Sequence, residues 1–298
     1  VTPFMITNAD ATIAAHIRRT PLLRPGRGCF GLDNDLMLKL ELLQHAGSFK
    51  PRGAFYNLLE RKAPKAGVAA ASGGNHGAAV AYAAKRLGLP ARIFVPEISS
   101  PAKIAAIRHF GADVVVGGAR YNDALAACEA YVAHSGALSV HAYDALETVT
   151  GQGTLAHEWH EQMATTGDGI DTVLVATGGG GLVSGIGAYW HGRVKVVAVE
   201  PEGSCALHAA LQAGGPVDVP VESVAADSLG ARNVGALVHQ ICAATVDHVA
   251  LVPDASIVEA QTLLWRDIRI AAEPGGATAL AALLSGAYKP SRSERVGV

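Results

Sequence analysis

The sequence carries little charge and has no long apolar run. Of its 298 residues, 24 are Lys or Arg and 26 are Asp or Glu, which gives a formal net charge of −2. This balance argues against a nucleic-acid-binding protein, because clustered basic residues are needed to bind a phosphate backbone. No uninterrupted apolar stretch reaches the ~18 residues of a membrane-spanning helix. We therefore expect neither nucleic acid nor a membrane among the partners.

Cysteine is also scarce and scattered. The four cysteines form no CxxC pair and lie at Cys29, Cys128, Cys205 and Cys242. This spacing predicts neither a disulfide framework nor a zinc site built on cysteine. The N-terminal segment lacks the apolar core of a signal peptide, and we expect a cytoplasmic protein. Because charges are depleted from interface cores, the charged fraction of 17% indicates that a partner subunit covers some surface.

What the chain does contain is an alternation of strand and helix patterns. Short β-branched runs predict strands at 36–42, 67–72, 91–96, 113–118, 138–143, 172–177, 195–200 and 248–253, and the final segment SERVGV starts another. Helical spacing is found at 75–88, 100–110, 120–135, 148–165, 255–271 and 275–286. Nearly continuous apolar strands are typical of parallel sheets covered on both faces. The alternation predicts an α/β fold, and 67–144 holds four strands and three helices, enough for a small open sheet.

The segment GSFKPRGA (47–54) places a lysine at the start of a predicted helix. Pro51 suits the first helical turn and disfavours helical geometry in the residue before it. A cation at this end opposes the helix dipole, which lowers the pKa of the Lys50 amine and suits a nucleophile. The alternative is a solvated surface lysine, although the flanking Ser48 and Phe49 are unusual at an exposed helix start.

The segment ASGGNHG (71–77) lies between a predicted strand and a predicted helix. Its small residues allow backbone N–H groups at the helix start to point towards an anion, either a carboxylate or a phosphate. The alternative is an ordinary helix start, in which Asn75 is the N-cap and His76 is a polar residue of the first turn.

The segment TGGGGL (177–182) follows a very apolar strand. Four consecutive glycines have a large entropic cost unless the backbone must approach something closely, so we predict a phosphate site. One alternative is a flexible turn. Another is a nucleotide site with Glu200 as the acid that binds ribose, although the loop matches neither the P-loop nor the GxGxxG pattern.

Together with EPGGA (273–277), these motifs resemble the fold-type II family of pyridoxal-phosphate enzymes, and most of all its threonine/serine dehydratases (ammonia-lyases) and serine racemases. The resemblance runs from about Arg19 to the end of the chain. It implies two open, twisted, mostly parallel sheets flanked by helices. It further implies a small domain (67–144) inserted in a large cofactor-binding domain (1–66 and 145–298), and a homodimer.

The resemblance also implies residue roles for the cofactor pyridoxal 5'-phosphate and a small amino-acid substrate. Lys50 would be catalytic, forming a Schiff base with the cofactor aldehyde and then taking the α-proton. The cofactor would be bound by Phe49, Lys50, Asn75, Gly178, Gly179, Gly180, Gly181 and Leu182. The substrate carboxylate would be bound by Ser72, Gly73, Gly74, Asn75 and His76. The implied reaction is β-elimination from L-threonine or L-serine.

Three departures from the family pattern refine this expectation. Racemases carry a second serine on the opposite face of the substrate, at the position of Gly73, so we expect elimination instead of racemisation. Metal-binding relatives place an acid six positions after Glu200, where this chain has Ala206, so we expect no metal site. Relatives place a Ser, Thr or Cys against the pyridine nitrogen after the last strand, and no residue up to Val298 can be assigned to that role.

Several alternatives stay open at this point. Within the family they are a serine racemase and a 3-hydroxyaspartate dehydratase; outside this activity they are a nucleotide-binding protein and a cofactor-binding pseudoenzyme. His157 and His160 lie three apart on a predicted helix but lack the HExxH pattern, which favours a polar helix surface. The three tryptophans are predicted to be core or interface residues.

Overall fold

The computed structural model describes residues 1–298 and contains two sheets. The strands are β1 (Leu22–Leu23), β2 (Asp35–Lys39), β3 (Val68–Ala71), β4 (Ala91–Val95), β5 (Asp113–Val116), β6 (Leu138–Ser139), β7 (Thr172–Ala176), β8 (Lys195–Pro201), β9 (His248–Val252) and β10 (Arg295–Gly297). The larger sheet has the order β1-β2-β10-β7-β8-β9 and the smaller one β5-β4-β3-β6. All strand pairs are parallel except β1 with β2. The predicted α/β fold with two mainly parallel sheets is confirmed.

Twelve α-helices connect and cover these strands. They are α1 (Pro3–Ile13), α2 (Lys50–Glu60), α3 (Asn75–Arg86), α4 (Pro101–His109), α5 (Tyr121–Ser135), α6 (Leu146–Thr166), α7 (Gly181–Trp190), α8 (Ala206–Ala213), α9 (Ala226–Leu229), α10 (Ala236–Thr245), α11 (Asp254–Ile268) and α12 (Pro274–Leu284). Proline stands in the first turn of α2, α4 and α12, where its missing N–H costs nothing. None of the helices combines the length and the apolar character needed to cross a bilayer.

The segment 67–144 contributes only to the smaller sheet. It contains β3 to β6 and the three helices α3 to α5, which is the number of strands and helices predicted for it. All the other strands belong to the larger sheet, so the chain leaves that sheet after α2 and returns to it through α6. The division into a large and a small domain stays a prediction.

The strands of the larger sheet are buried on both faces, as their apolar sequences predict. Along β8, Val196 and Ala198 pack into a cluster with Trp159 and Trp190, whereas Val197 and Val199 pack on the opposite face against α11 and α12. This alternation follows from the two-residue period of a strand. Both of these tryptophans are therefore core residues, as expected.

Strand β6 ends earlier than predicted, and this difference shapes the site. The sequence pattern predicts a strand over 138–143, but the strand stops at Ser139. Beyond it, His141 Nδ1 accepts hydrogen bonds from the N–H groups of Tyr143 (3.3 Å) and Asp144 (2.9 Å), which turns the chain. The Ala142 carbonyl and the Tyr143 ring consequently line a cavity between the two sheets.

Candidate active site

A cavity of about 1110 Å³ lies where the carboxyl ends of strands from both sheets meet. Its lining includes the three segments singled out in the sequence, at 47–50, 72–76 and 177–182. Two of these follow β3 and β7 directly, and ligands of open α/β sheets bind at this edge. Folding therefore brings the predicted lysine and the two predicted anion-binding turns to one cavity.

Lys50 begins α2 and points its amine at the turn after β6. Its Nζ donates a hydrogen bond to the Ala142 carbonyl at 2.9 Å and lies 5.2 Å from the centre of the Phe49 ring. Burial lowers the pKa of Lys50 from 10.5 to about 8, and the Glu273 carboxylate opposes that shift only in part. At this pKa a minor but significant fraction of the amine is neutral near physiological pH, far more than for an ordinary lysine, and the neutral form is what a nucleophile or proton acceptor requires.

The four-glycine turn can be formed only by glycine. A Cβ on Gly179 would lie 2.2 Å from the Tyr143 ring, and one on Gly178 would lie 2.7 Å from Leu229 Cα. Gly180 has φ +80° and precedes the first residue of α7. The first N–H groups of a helix have no intrahelical acceptor, so this turn offers donors and a positive dipole end to an anion. The residues present therefore fit a phosphate group.

The second turn, at 72–76, stands at the start of α3. The N-cap of this helix is Gly74, so the alternative that made Asn75 the N-cap is wrong. Ser72 Oγ accepts the N–H of Gly74 at 3.3 Å, which tightens the turn. A Cβ on Gly77 would lie 2.3 Å from the Ser72 carbonyl, so the first turn of α3 packs directly on the turn before it. The N-terminal amides of α3 are then available to a small anion.

The side chains of Asn75 and His76 point in different directions. Asn75 Nδ2 donates to Glu273 Oε1 at 2.5 Å, which brings the predicted EPGGA segment to the cavity. His76 is buried, and its Nε2–H donates to the Val140 carbonyl at 2.8 Å. Burial, with the nearby Lys50 charge, lowers the pKa of His76 to about 3, so the ring is neutral. His76 thus lies in the first turn of α3, as the alternative had it, but its side chain is buried.

Glu200 does not serve the glycine-rich turn. It is fully buried, and its two oxygens accept the N–H groups of Leu207 (2.9 Å) and His208 (2.8 Å) in the first turn of α8. Burial raises the pKa of Glu200 to about 7 against the opposing effect of these two bonds. Glu200 is absent from the cavity lining, so the nucleotide alternative lacks its ribose-binding acid.

One feature of the site that sequence reasoning missed is a buried ion network behind Lys50. Arg52 is fully buried; its Nε and Nη2 donate to Glu41, both at 2.8 Å, and Nη2 also donates to Glu158 at 2.9 Å. Lys39 forms a further ion pair with Glu158. These contacts tie the first turn of α2 to β2 and α6. Arg52 stands in the predicted lysine motif, but nothing in the sequence indicates its partners.

A second missed feature is the segment that follows β6. The Tyr143 ring packs against the four-glycine turn, and Asp144 Oδ1 accepts the N–H of Val238 at 3.0 Å. These contacts connect the smaller sheet to the helices α7 and α10. The signal available in the sequence was a run of polar and aromatic residues just after a predicted parallel strand.

The predicted polar surface at His157 and His160 is wrong in part. His157 Nδ1 lies 3.4 Å from the Asp10 carboxylate on α1, and its side chain is only 13% exposed. His160 Nδ1 is 2.9 Å from the Tyr189 hydroxyl on α7. Helix α1 thus covers α6 at His157, a long-range contact that spacing within the helix does not reveal, whereas His160 is exposed as predicted.

Comparisons with protein-family models, curated sequences and solved structures find proteins similar to this chain. Residues 13–298 match the family model described as pyridoxal-phosphate dependent enzyme. The phenylserine dehydratase of Ralstonia pickettii is 40% identical over 267 residues, covering 87% of this chain and 80% of that protein. The L-threonine ammonia-lyase of Geobacter sulfurreducens is 35% identical over 286 residues, covering 94% and 70%. The crystal structure of a T.th. threonine deaminase superposes with a TM-score of 0.93 at 33% identity, covering 100% and 96%.

Proposed function

Because the chain belongs to the family of pyridoxal-phosphate-dependent enzymes, we propose that it is an ammonia-lyase acting on β-hydroxy amino acids. The substrates are L-threonine and L-serine, and the products are 2-oxobutanoate or pyruvate together with ammonia. The observation that carries this proposal is the Lys50 amine, with its pKa lowered to about 8, in one cavity with two anion-binding turns.

The two turns serve different anions in this proposal. The amides of Gly178–Leu182 at the start of α7 hold the cofactor phosphate, since only glycine fits this turn against Tyr143 and Leu229. Phe49, Lys50 and Asn75 complete the cofactor site. The turn at 72–76 binds the substrate carboxylate through the amides that begin α3. Two separate anion sites are what a phosphorylated cofactor and an amino acid require.

Lys50 performs the proton transfer. When bound, the cofactor draws electrons from the substrate Cα and makes the α-proton acidic. Lys50 Nζ in its neutral form, which burial makes more accessible by lowering the pKa, takes this proton. The Ala142 carbonyl, 2.9 Å away, fixes the position of the amine. Loss of the α-proton and the β-hydroxyl as water leaves an enamine, which hydrolyses to the keto acid and ammonia.

Replacement of Lys50 tests the proposal directly. Lys50→Ala should abolish both the absorbance of the covalent lysine–cofactor link and the formation of keto acid. Lys65→Ala, which changes an exposed lysine outside the cavity, is the matched control and should leave both unchanged. Full turnover in Lys50→Ala would refute the proposal.

The products that the wild-type protein forms from L-serine distinguish elimination from racemisation. Position 73, where racemases of the family carry their second serine, is glycine in this chain, so pyruvate should be the main product from L-serine. Chiral chromatography of the reaction mixture measures pyruvate and D-serine together. A larger amount of D-serine than of pyruvate would make racemisation the main activity.

A second candidate substrate class is the aryl β-hydroxy amino acids. Two large apolar side chains line the cavity although they are well exposed, Ile98 at 83% and Tyr121 at 45%. The phenylserine dehydratase described above is also 40% identical to this chain. A keto-acid assay across serine, threonine, 3-hydroxyaspartate and phenylserine ranks the classes by kcat/KM, and Ile98→Asp should reduce activity on phenylserine more than on serine.

We further propose that the enzyme is a cytoplasmic homodimer. Phe4 on α1 is 74% exposed and Trp265 on α11 is 57% exposed, and large apolar side chains of this kind are enriched at subunit interfaces. All four cysteines are free, which suits a reducing compartment. Sedimentation velocity of the loaded enzyme measures the subunit number, and a monomer at micromolar concentration would contradict the dimer.

A further inference from the structure

Gly73 and Ser99 compete for one volume in the cavity wall. A Cβ built on Gly73 would lie 2.2 Å from Ser99 Oγ and 2.9 Å from Ser99 Cβ. Contacts below 3.0 Å are not found for real Cβ atoms, so a side chain at position 73 and the present position of Ser99 exclude each other. The volume that a side chain at position 73 would fill is therefore occupied by the Ser99 hydroxyl.

The Ser99 hydroxyl is free to bind a ligand. Ser99 lies in the connection between β4 and α4, is partly buried and lines the cavity. Its backbone N–H donates to the Pro96 carbonyl at 3.0 Å, but its hydroxyl makes no hydrogen bond with the rest of the chain. The hydroxyl of the next residue, Ser100, is already engaged, since it accepts the N–H of Lys103 at 3.3 Å and caps α4.

Two contacts hold this connection close to the anion-binding turn. Lys103 Nζ forms an ion pair with Asp227 of α9 at 2.7 Å, which joins α4 to a helix that lines the other side of the cavity. The same Nζ lies 4.0 Å from the Cβ position of Gly74. Lys103 thus holds the α4 end of the connection beside the turn at 72–76, next to which Ser99 lies.

We propose that Ser99 Oγ donates a hydrogen bond to the α-carboxylate of the bound amino acid, beside the amides of the turn at 72–76. This assignment rests on the proposed function only in taking an amino acid as the ligand. It makes Ser99 a substrate-binding residue and explains why glycine stands at position 73: a larger residue would displace the hydroxyl.

Binding of L-alanine to the loaded enzyme tests the assignment without turnover, because L-alanine has no β-hydroxyl to eliminate. Its Kd is read from the change in cofactor absorbance. Ser99→Ala should raise this Kd about tenfold, the low end for loss of a hydrogen bond to a charged group. L-Alaninamide, whose carboxamide is uncharged, should lose less affinity. Ser256→Ala, which removes a hydroxyl from α11 outside the cavity, is the control, and its Kd for L-alanine should equal that of the wild type.

An exchange of residues between positions 73 and 99 provides an independent test. Gly73→Ser alone should weaken L-alanine binding, because its side chain displaces Ser99. Gly73→Ser combined with Ser99→Gly places one hydroxyl in the shared volume and should restore the Kd to within about threefold of the wild type. The thermal midpoint and the lysine–cofactor absorbance of each variant show that it is folded and loaded.

The assignment is overturned if Ser99→Ala binds L-alanine as the wild type does, or if Gly73→Ser has the same effect with and without Ser99→Gly. These results differ from a failure of the proposed function. In that case the loaded enzyme yields no keto acid from any β-hydroxy amino acid, whereas the dependence of L-alanine binding on Ser99 is still measured.

Discussion

Replacement of Arg52 by methionine tests whether the buried ion network holds the start of α2. The network contains two cations, Arg52 and Lys39, and two anions, Glu41 and Glu158, so it is neutral as a whole. Methionine keeps an unbranched side chain of similar length but leaves one buried negative charge without a partner. The three hydrogen bonds that Arg52 donates to the carboxylates, of 2.8, 2.8 and 2.9 Å, are lost together.

The expected loss is large compared with total stability. Removal of one partner from a buried ion pair costs about 3–5 kcal/mol, against a free energy of unfolding of about 5–15 kcal/mol. At about 2 °C per kcal/mol for a chain of this size, Tm should fall by about 6–10 °C. The control is Arg19→Met: Arg19 and Glu161 form an exposed pair, with side chains 52% and 49% exposed, worth about 0.2–1 kcal/mol. Circular dichroism of the loaded enzyme at fixed cofactor concentration measures both variants.

The pH dependence of this loss identifies its cause. Burial alone would raise the pKa of Glu41, but the charge and hydrogen bonds of Arg52 outweigh it and hold the pKa below its ordinary value. Such a carboxylate contributes stability at neutral pH that is lost as the pH falls through its folded pKa. In Arg52→Met burial dominates, so the pKa rises and Glu41 takes up a proton in mild acid.

The loss of unfolding free energy in Arg52→Met relative to the wild type should therefore be largest near pH 8 and become smaller towards pH 5. Adding Glu41→Gln to Arg52→Met should recover part of the loss at pH 8, because it removes the charge left behind. A deficit that does not change with pH, or one as small as that of Arg19→Met, would refute the argument that charge pairing anchors α2.

Three further measurements test the site and the buried acid Glu200. Gly179→Ala places a Cβ 2.2 Å from the Tyr143 ring. Overpacking of about 1–3 kcal/mol should weaken cofactor binding about 5- to 150-fold, as measured by titration of the cofactor absorbance. The control is Gly215→Ala, whose Cβ meets nothing within 4 Å and which should not alter that absorbance. The rate at which cofactor-free protein captures added pyridoxal phosphate should rise with pH and level off above about pH 8, because only the neutral Lys50 amine attacks the aldehyde. Stopped-flow absorbance measures this rate. A rate that continues to rise up to pH 10 would contradict the lowered pKa of Lys50. The pKa of Glu200 is raised to about 7, so this carboxyl alone should cost stability as the pH rises from 4.5 to 7. In urea unfolding, the free energy of unfolding of Glu200→Gln relative to the wild type should therefore increase over this range, and a difference that does not change with pH would count against the raised pKa.

The parts of the site that the sequence predicts are those built from neighbouring residues. The turns at 72–76 and 177–182 each join a strand to the helix that follows, so their strand, glycine and helix signals lie within about 20 residues. Four consecutive glycines are costly in an ordinary turn, and the close approach of Tyr143 and Leu229 shows what requires them. Local chemistry is sufficient for such elements.

The parts that the sequence could not predict depend on distant residues. Glu158 lies 106 positions from Arg52, and no pattern within a single sequence connects them. The strand predicted at 138–143 ends at Ser139 because the His141 ring accepts two backbone N–H groups, a side-chain effect that apolar patterning does not contain. The occupation of the Gly73 volume by Ser99 is a contact of the same kind.

The lysine motif places two opposite electrostatic demands on one helix turn. Catalysis needs a cation that gives up its proton, and burial lowers the pKa of Lys50 with only Glu273 opposing it. Anchoring needs a cation that never gives up its proton, and Glu41 and Glu158 outweigh the burial of Arg52 and raise its pKa. Residues two apart on a helix point about 200° apart, so the spacing itself sends one side chain to the cavity and the other to the acids. The reactive amine is thus held in position by charges that lie on the far side of α2, where they do not stabilise its protonated form.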